Sequence, residues 1–339
     1  MKVGILTFHN SPNNAGAVLQ AWALQHTIEK LGHDASIIDY HRLKGDLVPW
    51  WSLKTLRGLF YTFKRFPFEM IRLWKCRRFR CLNLNLVGTQ YGGRVSYKDS
   101  DAFIVGSDQV FNPTNNELNP DFLLDFVPSG KNRISYGASF GTDKFPEEYV
   151  QKLKDLLPRF KALSVREATG LETVKRITGL DAQVVLDPTL LLDDNEYRHL
   201  FVKELKHIPK DPYVFLYVIG SHSDARRIAE EKANETGVKN IIIMTNQRAE
   251  WHCPQVGKFR RIHIYTPADF LAYISNASYV VTNSFHGTAF SVIFNRRFTV
   301  LKNGTSGDDR MTTLLAAAES GGLKDLRSKS IEFLRESLS

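Results

Sequence analysis

The sequence is short of the features that mark several large classes of protein. It has three cysteines in 339 residues, Cys76, Cys81 and Cys253, without the spacing of a metal site or a disulfide framework. No apolar run approaches the roughly 20 residues that cross a bilayer, and the apolar start at Met1–Phe8 is too short for a secretory signal. We therefore expect a cytoplasmic protein that keeps its thiols reduced and holds no metal ion.

A glycine-rich nucleotide-binding loop is also missing. The polar loop at His9–Ala15, after the first predicted strand, lacks the G-x-G-x-x-G spacing that holds a dinucleotide. The composition, 43% hydrophobic and 24% charged, is that of a globular chain long enough for two domains. We expect no dinucleotide cofactor.

The sequence does contain a local excess of positive charge. The net charge is +9, and nine lysines and arginines from Lys54 to Arg80 are opposed only by Glu69. Aromatic residues are interspersed among them. Such a segment binds an anionic membrane surface or a phosphate-bearing ligand. One alternative is a solvated helix face whose aromatics fill the core; another is nucleic acid, which no motif supports and which we do not expect.

This basic insertion occupies residues about 43–82. Its composition predicts mostly helix, with breaks at Pro49 and Pro67. Further along, the apolar run Phe122–Phe126 predicts a strand, whereas Arg248–Ile264 shows no regular pattern and is predicted to be irregular.

Outside the insertion, strand and helix patterns alternate. Apolar runs at Lys2–Phe8 and Ala35–Asp39 flank the helical periodicity of Gly16–Leu31, as at the start of a doubly wound domain. After the polar stretch Asp193–Pro212 the alternation restarts at Tyr213–Val218. We predict an α/β fold of two Rossmann-like domains facing a cleft, the architecture called GT-B.

The richest chemistry surrounds the predicted strand Tyr279–Thr282. A helix follows it, and the next strand ends at Lys302, so His286 and Lys302 stand at adjacent strand ends. Open α/β sheets bind ligands in that crevice, and free amides after Asn283 and Ser284 would add an anion site. The alternative is that His286 is a hydrogen-bonded structural residue.

Two other strand ends carry polar residues. The strand Ala102–Val105 leads into a turn with Asp108 and Gln109, which are candidate ligand residues unless Asp108 caps a helix. Arg166 stands where another strand meets a helix, a position at which arginine often binds an anion. It could equally pair with Glu167 or another carboxylate.

Five stretches together resemble the polysaccharide pyruvyl transferase family. They occur in order over roughly residues 3–315 and therefore cover nearly the whole chain. The stretches are Ile5–Phe8 with Asn14–Gln20, Ile104–Asn112, Ser164–Gly170, Leu186–Leu192 and Thr282–Phe290.

The resemblance implies phosphoenolpyruvate as donor and a saccharide acceptor that becomes a pyruvate ketal. It implies that residues 206–339 bind the donor and residues 1–205 the acceptor, with no cofactor, since phosphoenolpyruvate is a co-substrate. His286 matches the essential histidine of the family, Arg166 its anion-binding arginine and Lys302 a donor-binding lysine. The acceptor-binding residues expected on this basis are Asn14, Gly16, Ser107 and Gln109. The family often has an aspartate where this chain has Ala17.

The expected chemistry agrees with these residue types. Phosphoenolpyruvate carries a phosphate and a carboxylate, so its pocket needs cations and amides. The candidates for donor binding are Arg166, Lys302, Arg310, Asn283 and Ser284. Ketal formation needs an acid and base near neutrality, for which we expect His286 as the proton donor and Asp108 as a ligand or base for the acceptor.

Capsular and other surface sugars are commonly assembled on a lipid diphosphate at the inner face of the cytoplasmic membrane. We therefore expect a lipid-linked oligosaccharide acceptor, with the basic insertion holding the protein peripherally on the anionic surface. The alternatives are a glycosyltransferase with a nucleotide-sugar donor, and a capsule-assembly scaffold without activity.

Overall fold

The computed structural model describes residues 1–11, 14–41, 56–220, 222–245, 259–262, 264–302 and 308–339 of the chain. Pro49 and Cys253 lie outside the described residues. So do the side chains of Glu69 and Arg310.

A parallel sheet of seven described strands forms the first half of the molecule, in the order β3-β2-β1-β4-β5-β6-β7. The strands are β1 Lys2–Leu6, β2 Asp34–His41, β3 Leu86–Tyr91, β4 Ala102–Val105, β5 Asn132–Ala138, β6 Ala162–Val165 and β7 Gln183–Val184. The helices are α1 Ala15–Lys30, α2 Leu56–Asn83, α3 Glu147–Leu156, α4 Ala168–Thr178 and α5 Asp194–Phe201. Single 3₁₀ turns occur at Pro120–Leu123, Leu157–Arg159, Pro188–Leu191 and Glu204–His207. The order reverses between β1 and β4, which is where such sheets open a ligand crevice.

A second parallel sheet contains five described strands in the order β10-β9-β8-β11-β12. The strands are β8 Tyr213–Val218, β9 Asn240–Thr245, β10 Phe259–Ile262, β11 Tyr279–Thr282 and β12 Phe298–Val300. The helices are α6 Ala225–Glu235, α7 Pro267–Asn276, α8 Phe285–Ile293, α9 Asp308–Glu319 and α10 Leu323–Leu338. Its central strands β8 and β11 are wholly buried apolar runs, as expected when helices cover both faces.

Aromatic side chains join the two halves. The ring of Trp22 on α1 lies 5.3 Å from that of Tyr197 on α5, and Tyr197 lies 5.0 Å from Phe290 on α8. These rings belong to one buried cluster that includes residues of both sheets. The position of α8 relative to α1 is therefore set by packing.

The last helix returns to the first sheet. Phe333 on α10 packs against Tyr136 on β5, and the hydroxyl of Ser330 accepts a hydrogen bond of 2.9 Å from the Leu186 amide. Arg327 donates to the Leu190 carbonyl at 2.7 Å. The predicted division of the chain at residue 205 stays a prediction, and α10 crosses back over it.

The α/β fold with parallel sheets is confirmed, but three local predictions are wrong. Phe122–Phe126 is not a strand, because Asn119 caps a 3₁₀ turn that begins at Pro120. Pro67 lies inside α2 and does not break the helix, because buried side chains hold the turns that follow it. Phe259–Ile262 forms strand β10 within a stretch predicted to be irregular.

Candidate active site

The site is assembled from residues that follow four strands of the two sheets. Ser107 and Asp108 follow β4, Arg166 follows β6 and Asp187 follows β7. His286 lies in the first turn of α8, directly after β11. Within each sheet the strands are parallel, so their carboxyl ends lie at one edge of that sheet. His286, Arg166 and Asp108 stand at these strand ends, as the sequence predicts.

A buried ion pair forms the centre of the site. Nη1 of Arg166 lies 2.5 Å from Oδ2 of Asp187, with 4% and 1% of the two residues exposed. The amide and hydroxyl of Thr189 donate to Oδ1 at 3.0 and 2.7 Å. Burial would raise the pKa of Asp187, but the charges of Arg166 and His286 and the bonds from Thr189 lower it to about 2. Asp187 is therefore an anion that fixes one end of the guanidinium.

The other two nitrogens of that guanidinium make no hydrogen bond to a described residue. Nε and Nη2 of Arg166 are buried and have no hydrogen-bond partner among the residues that the structure describes. Nη2 faces Oδ1 of Asp108 at 3.6 Å, beyond hydrogen-bond length, and the Phe285 ring lies 4.7 Å from the guanidinium carbon. Buried donors without partners are rare, so this end of Arg166 is suited to an oxyanion.

His286 lies at the junction of the two halves. Its Nε2 is 3.8 Å from Oδ2 of Asp187. Its ring also lies directly on Gly16 in the first turn of α1, where an added Cβ would be 2.1 Å from Nδ1. Glycine at position 16 is thus the residue that lets a histidine of one half approach a helix of the other.

A hydrogen-bonded network holds the turn after β4. The Ser107 hydroxyl lies 3.2 Å from Oδ2 of Asp187, and its amide donates to Oε1 of Gln20 at 3.2 Å. Nε2 of Gln20 donates to the Thr7 hydroxyl at 2.9 Å, and that hydroxyl donates to the Ser107 carbonyl at 3.1 Å. Ser107 and Gln20 are fully buried, so the network orients the turn without access to solvent.

The structure brings His286, Arg166, Asp108, Ser107 and Gly16 together. Asp108 caps no described helix: it takes a left-handed φ of 64°, and its carbonyl accepts from the Ser139 amide at 2.9 Å. Arg166 pairs with the carboxylate of Asp187, which is one of the two alternatives that the sequence left open. Its Nε and Nη2 can still bind an anion.

The other predicted site residues have contacts that support the local backbone. The side chain of Asn14 caps α1 and that of Ser284 caps α8, while Asn283 bonds both backbone groups of Ile219 at 2.8 Å. Oε1 of Gln109 accepts from the Asn112 and Asn115 amides. Lys302 is exposed just after β12. The binding roles given to these residues stay predictions.

Sequence reasoning missed Asp187, Gln20 and Phe285. Asp187 had a usable signal, because it directly follows the apolar run Val184–Leu186, which predicts a strand, as Arg166 follows Ala162–Val165. No signal along the chain connects Gln20 to the turn after β4.

Among the described residues there is no group of side chains suited to a metal ion, and none of the described helices is long and apolar enough to span a membrane.

Comparison with known families adds to this geometry. The model of the polysaccharide pyruvyl transferase family matches residues 14–305. In the comparison with curated proteins, none matches this chain.

Solved structures resemble the chain over nearly its full length. A UDP-GlcNAc 2-epimerase from Neisseria meningitidis has a TM-score of 0.51 at 11% identity and covers 100% of this chain and 99% of its own. The enzyme from Rickettsia bellii has a TM-score of 0.51 at 10% identity, with coverage of 98% and 95%. That from Methanocaldococcus jannaschii has a TM-score of 0.50 at 14% identity, with coverage of 92% and 87%. At such identities the likeness shows the fold alone, and the predicted GT-B-like fold is confirmed.

Proposed function

The chain belongs to the polysaccharide pyruvyl transferase family, and we propose that it transfers the enolpyruvyl unit of phosphoenolpyruvate to a sugar. The product is a pyruvate ketal and the leaving group is phosphate. The proposal is carried by the buried guanidinium of Arg166, which has two nitrogens without hydrogen-bond partners among the described residues and shares Asp187 with His286. A buried cation with unfilled donors beside an imidazole suits a small anionic donor.

Two parts of the site support binding of the donor. Arg166 offers a planar pair of donors that matches a carboxylate or a phosphate. The start of α8, ordered by Ser284 and Asn283, presents main-chain N–H groups and the positive end of the helix dipole. We assign Lys302 to the same anion because β12 pairs with β11, and Arg310 on the family resemblance.

The reaction needs two proton transfers at the donor and acceptor. Protonation of C3 of the enol turns its methylene into a methyl group and leaves an oxocarbenium-like centre at C2. One sugar hydroxyl then attacks C2, the C2–O bond to phosphate breaks, and a second hydroxyl closes the ketal. Of the two hydroxyl protons, one balances the proton delivered to C3 and the other leaves with phosphate. No oxidant or reductant takes part.

We assign the acid to His286 and the base to Asp108. His286 lies where the two halves meet, with its Nε2 3.8 Å from the carboxylate of Asp187. Asp108 belongs to the half assigned to the acceptor and faces Nη2 of Arg166, whereas Asp187 holds Nη1. A carboxylate there can take the proton of an attacking hydroxyl.

The test uses phosphate release from phosphoenolpyruvate with a panel of lipid-linked glycans. We expect release with the wild type, together with an acid-labile mass gain on the glycan, and at least a hundredfold loss of rate in His286→Ala. His207→Ala, which changes an exposed histidine outside the site, is the matched control. Near-normal release by His286→Ala would remove His286 from the acid role. Stabilisation by nucleotide sugars instead of phosphoenolpyruvate would favour the glycosyltransferase alternative.

We further propose that the acceptor is linked to a lipid and that α2 rests on the cytoplasmic membrane surface. Eight large apolar side chains are exposed among those that the structure describes, and five belong to α2, namely Phe68, Met70, Ile71, Trp74 and Leu82. Lys75, Arg77 and Arg78 are exposed beside them, and Arg78 lies 5.5 Å from the Trp74 ring. Exposed apolar residues among basic ones suit an interface of anionic headgroups.

Vesicle sedimentation tests this placement. We expect retention on phosphatidylglycerol-rich vesicles at low salt, release at high salt, and weaker retention for Trp74→Ala. Val202→Ala, which removes an exposed apolar side chain elsewhere, is the control. Failure of the wild type to sediment with these vesicles at low salt, or equal retention on neutral ones, would contradict the proposal.

A further inference from the structure

A second polar cluster lies at the carboxyl edge of the first sheet, away from Arg166. Oδ1 of Asp39 on β2 is 2.9 Å from Nε2 of His9 and 3.0 Å from Nε2 of His41. Thr89 on β3 donates to Oδ2 at 3.0 Å, and Nη1 of Arg80 on α2 lies 3.8 Å from Oδ1. Burial would raise the pKa of Asp39, but hydrogen bonds from His41 and His9 hold it well below its usual range. The cluster is thus organised around a carboxylate.

The two histidines of this cluster differ in what they can still bind. His9 is fully buried and uses both ring nitrogens, one on Asp39 and one on the Thr7 carbonyl at 3.0 Å. His41 uses Nε2 on Asp39, whereas its Nδ1 has no hydrogen-bond partner in the described part of the chain. Asp39 therefore orients His41 and leaves one of its nitrogens for a ligand.

An exposed aromatic ring lies beside that nitrogen. Tyr91 is the register partner of His41 on β3, and their rings stack with centroids 4.5 Å apart at 21°. Tyr91 is nevertheless 52% exposed. The Gly92 amide also donates to the His41 carbonyl at 2.8 Å, which fixes the strand end that carries the ring. An exposed ring on a fixed backbone offers contact area at low entropic cost.

We propose that Tyr91 and His41 form a subsite for a sugar ring of the acceptor. A pyranose has a face of C–H groups that packs on an aromatic ring and a rim of hydroxyls that needs directed polar partners. Tyr91 supplies the first, and the oriented imidazole of His41 supplies the second. This inference rests on the proposed function, because it places the ligand on the acceptor's path.

The spacing of the strands gives the distance between this sugar and the one that reacts. β2 and β4 flank β1, so the end of β2 lies two strand spacings, roughly 10 Å, from the turn of Ser107 and Asp108. Tyr91 lies one strand further, on β3, so a sugar there is roughly 14 Å from that turn and is not the one that receives the pyruvyl group. Arg80 connects the same cluster to α2, the helix with the exposed apolar face, so an acceptor attached to a lipid would extend past Tyr91.

Substitution of Tyr91 tests the subsite. For an oligosaccharide acceptor we expect Tyr91→Ala to raise KM about tenfold, with kcat at saturating acceptor and KM for phosphoenolpyruvate unchanged. Tyr91→Trp and Tyr91→Phe keep a stacking face and should restore KM. With a monosaccharide acceptor, wild type and Tyr91→Ala should not differ. An unchanged KM, or an equal effect with the monosaccharide, overturns the subsite.

Direct binding separates this inference from the reaction. On an array of di- to tetrasaccharides, the wild type should bind a subset that Tyr91→Ala and His41→Gln lose, whether or not phosphoenolpyruvate is turned over. If the array result holds but phosphoenolpyruvate neither binds nor reacts, the proposed reaction fails and the saccharide subsite stands. If no glycan on the array depends on Tyr91, the subsite fails while the reaction stands on its own test.

Discussion

Asp187 occupies only one end of the Arg166 guanidinium. It holds Nη1 at 2.5 Å, while Nε and Nη2 have no hydrogen-bond partner among the described residues. The ion pair therefore fixes the position of a cation without saturating its donors. A site that must admit and release an anion needs this arrangement, since a fully paired guanidinium would have to break bonds before it could bind.

Removal of the Asp187 carboxylate should lower the stability of the fold, because it leaves the charge of Arg166 buried alone. We expect Asp187→Asn to lower the free energy of unfolding by roughly 3–5 kcal/mol, because Arg166 then stays buried without a counter-charge. Urea unfolding measures this. Asp181→Asn, which removes the partner of an exposed Lys175, is the control and should leave stability nearly unchanged. Equal effects of the two substitutions would contradict the buried ion pair.

The same carboxylate predicts an acid dependence. Its pKa is lowered in the folded chain from 3.8 to about 2, so its stabilisation is present above pH 4 and is lost as the pH falls towards 2. The loss is about 2 kcal/mol. Unfolding of the wild type should therefore show this extra pH dependence between pH 4 and 2, and Asp187→Asn should not. Parallel pH curves for the two proteins would count against an ionised, buried Asp187.

A methyl group at position 16 should disturb His286. An added Cβ would lie 2.1 Å from Nδ1 of the buried ring, so the histidine or the first turn of α1 must move. We expect Gly16→Ala to reduce phosphate release by at least tenfold and to destabilise the fold by roughly 1–3 kcal/mol. The control is Gly322→Ala, where the backbone is helical and the nearest atom is a serine hydroxyl at 3.3 Å. Wild-type activity in Gly16→Ala would show that the two halves do not meet at this contact.

Thiol labelling checks how α2 packs on the body of the protein. Cys76 is buried with its sulfur 3.6 Å from the Tyr265 carbonyl, and burial raises its pKa to about 11, whereas Cys81 is exposed one turn later. At pH 8 we expect iodoacetamide to modify Cys81 and to spare Cys76 until denaturant is added, since the thiolate is the reactive form. Peptide-resolved mass spectrometry distinguishes them. Rapid native labelling of Cys76 would mean that α2 is not docked through this face.

Local patterns predicted much of the fold because strands and caps depend on nearby residues. Strand β11 has the bounds of its apolar run, and Ser284 caps α8 as its side chain suggests. The prediction for Phe122–Phe126 was wrong because a short apolar run fits either a strand or a helical turn. Here the cap at Asn119 and Pro120 starts a 3₁₀ turn.

By itself, the sequence determined that His286, Arg166 and Asp108 stand at the ends of strands, because hydrophobic periodicity and turn chemistry are properties of neighbours along the chain. Only the tertiary structure decided that Asp187 pairs with Arg166, that Gly16 lies under His286, and that Tyr91 stacks on His41. Those contacts depend on the order of strands in the sheets and on how α8 packs against α1. Both are set by burial of residues far apart in sequence, which no local pattern encodes.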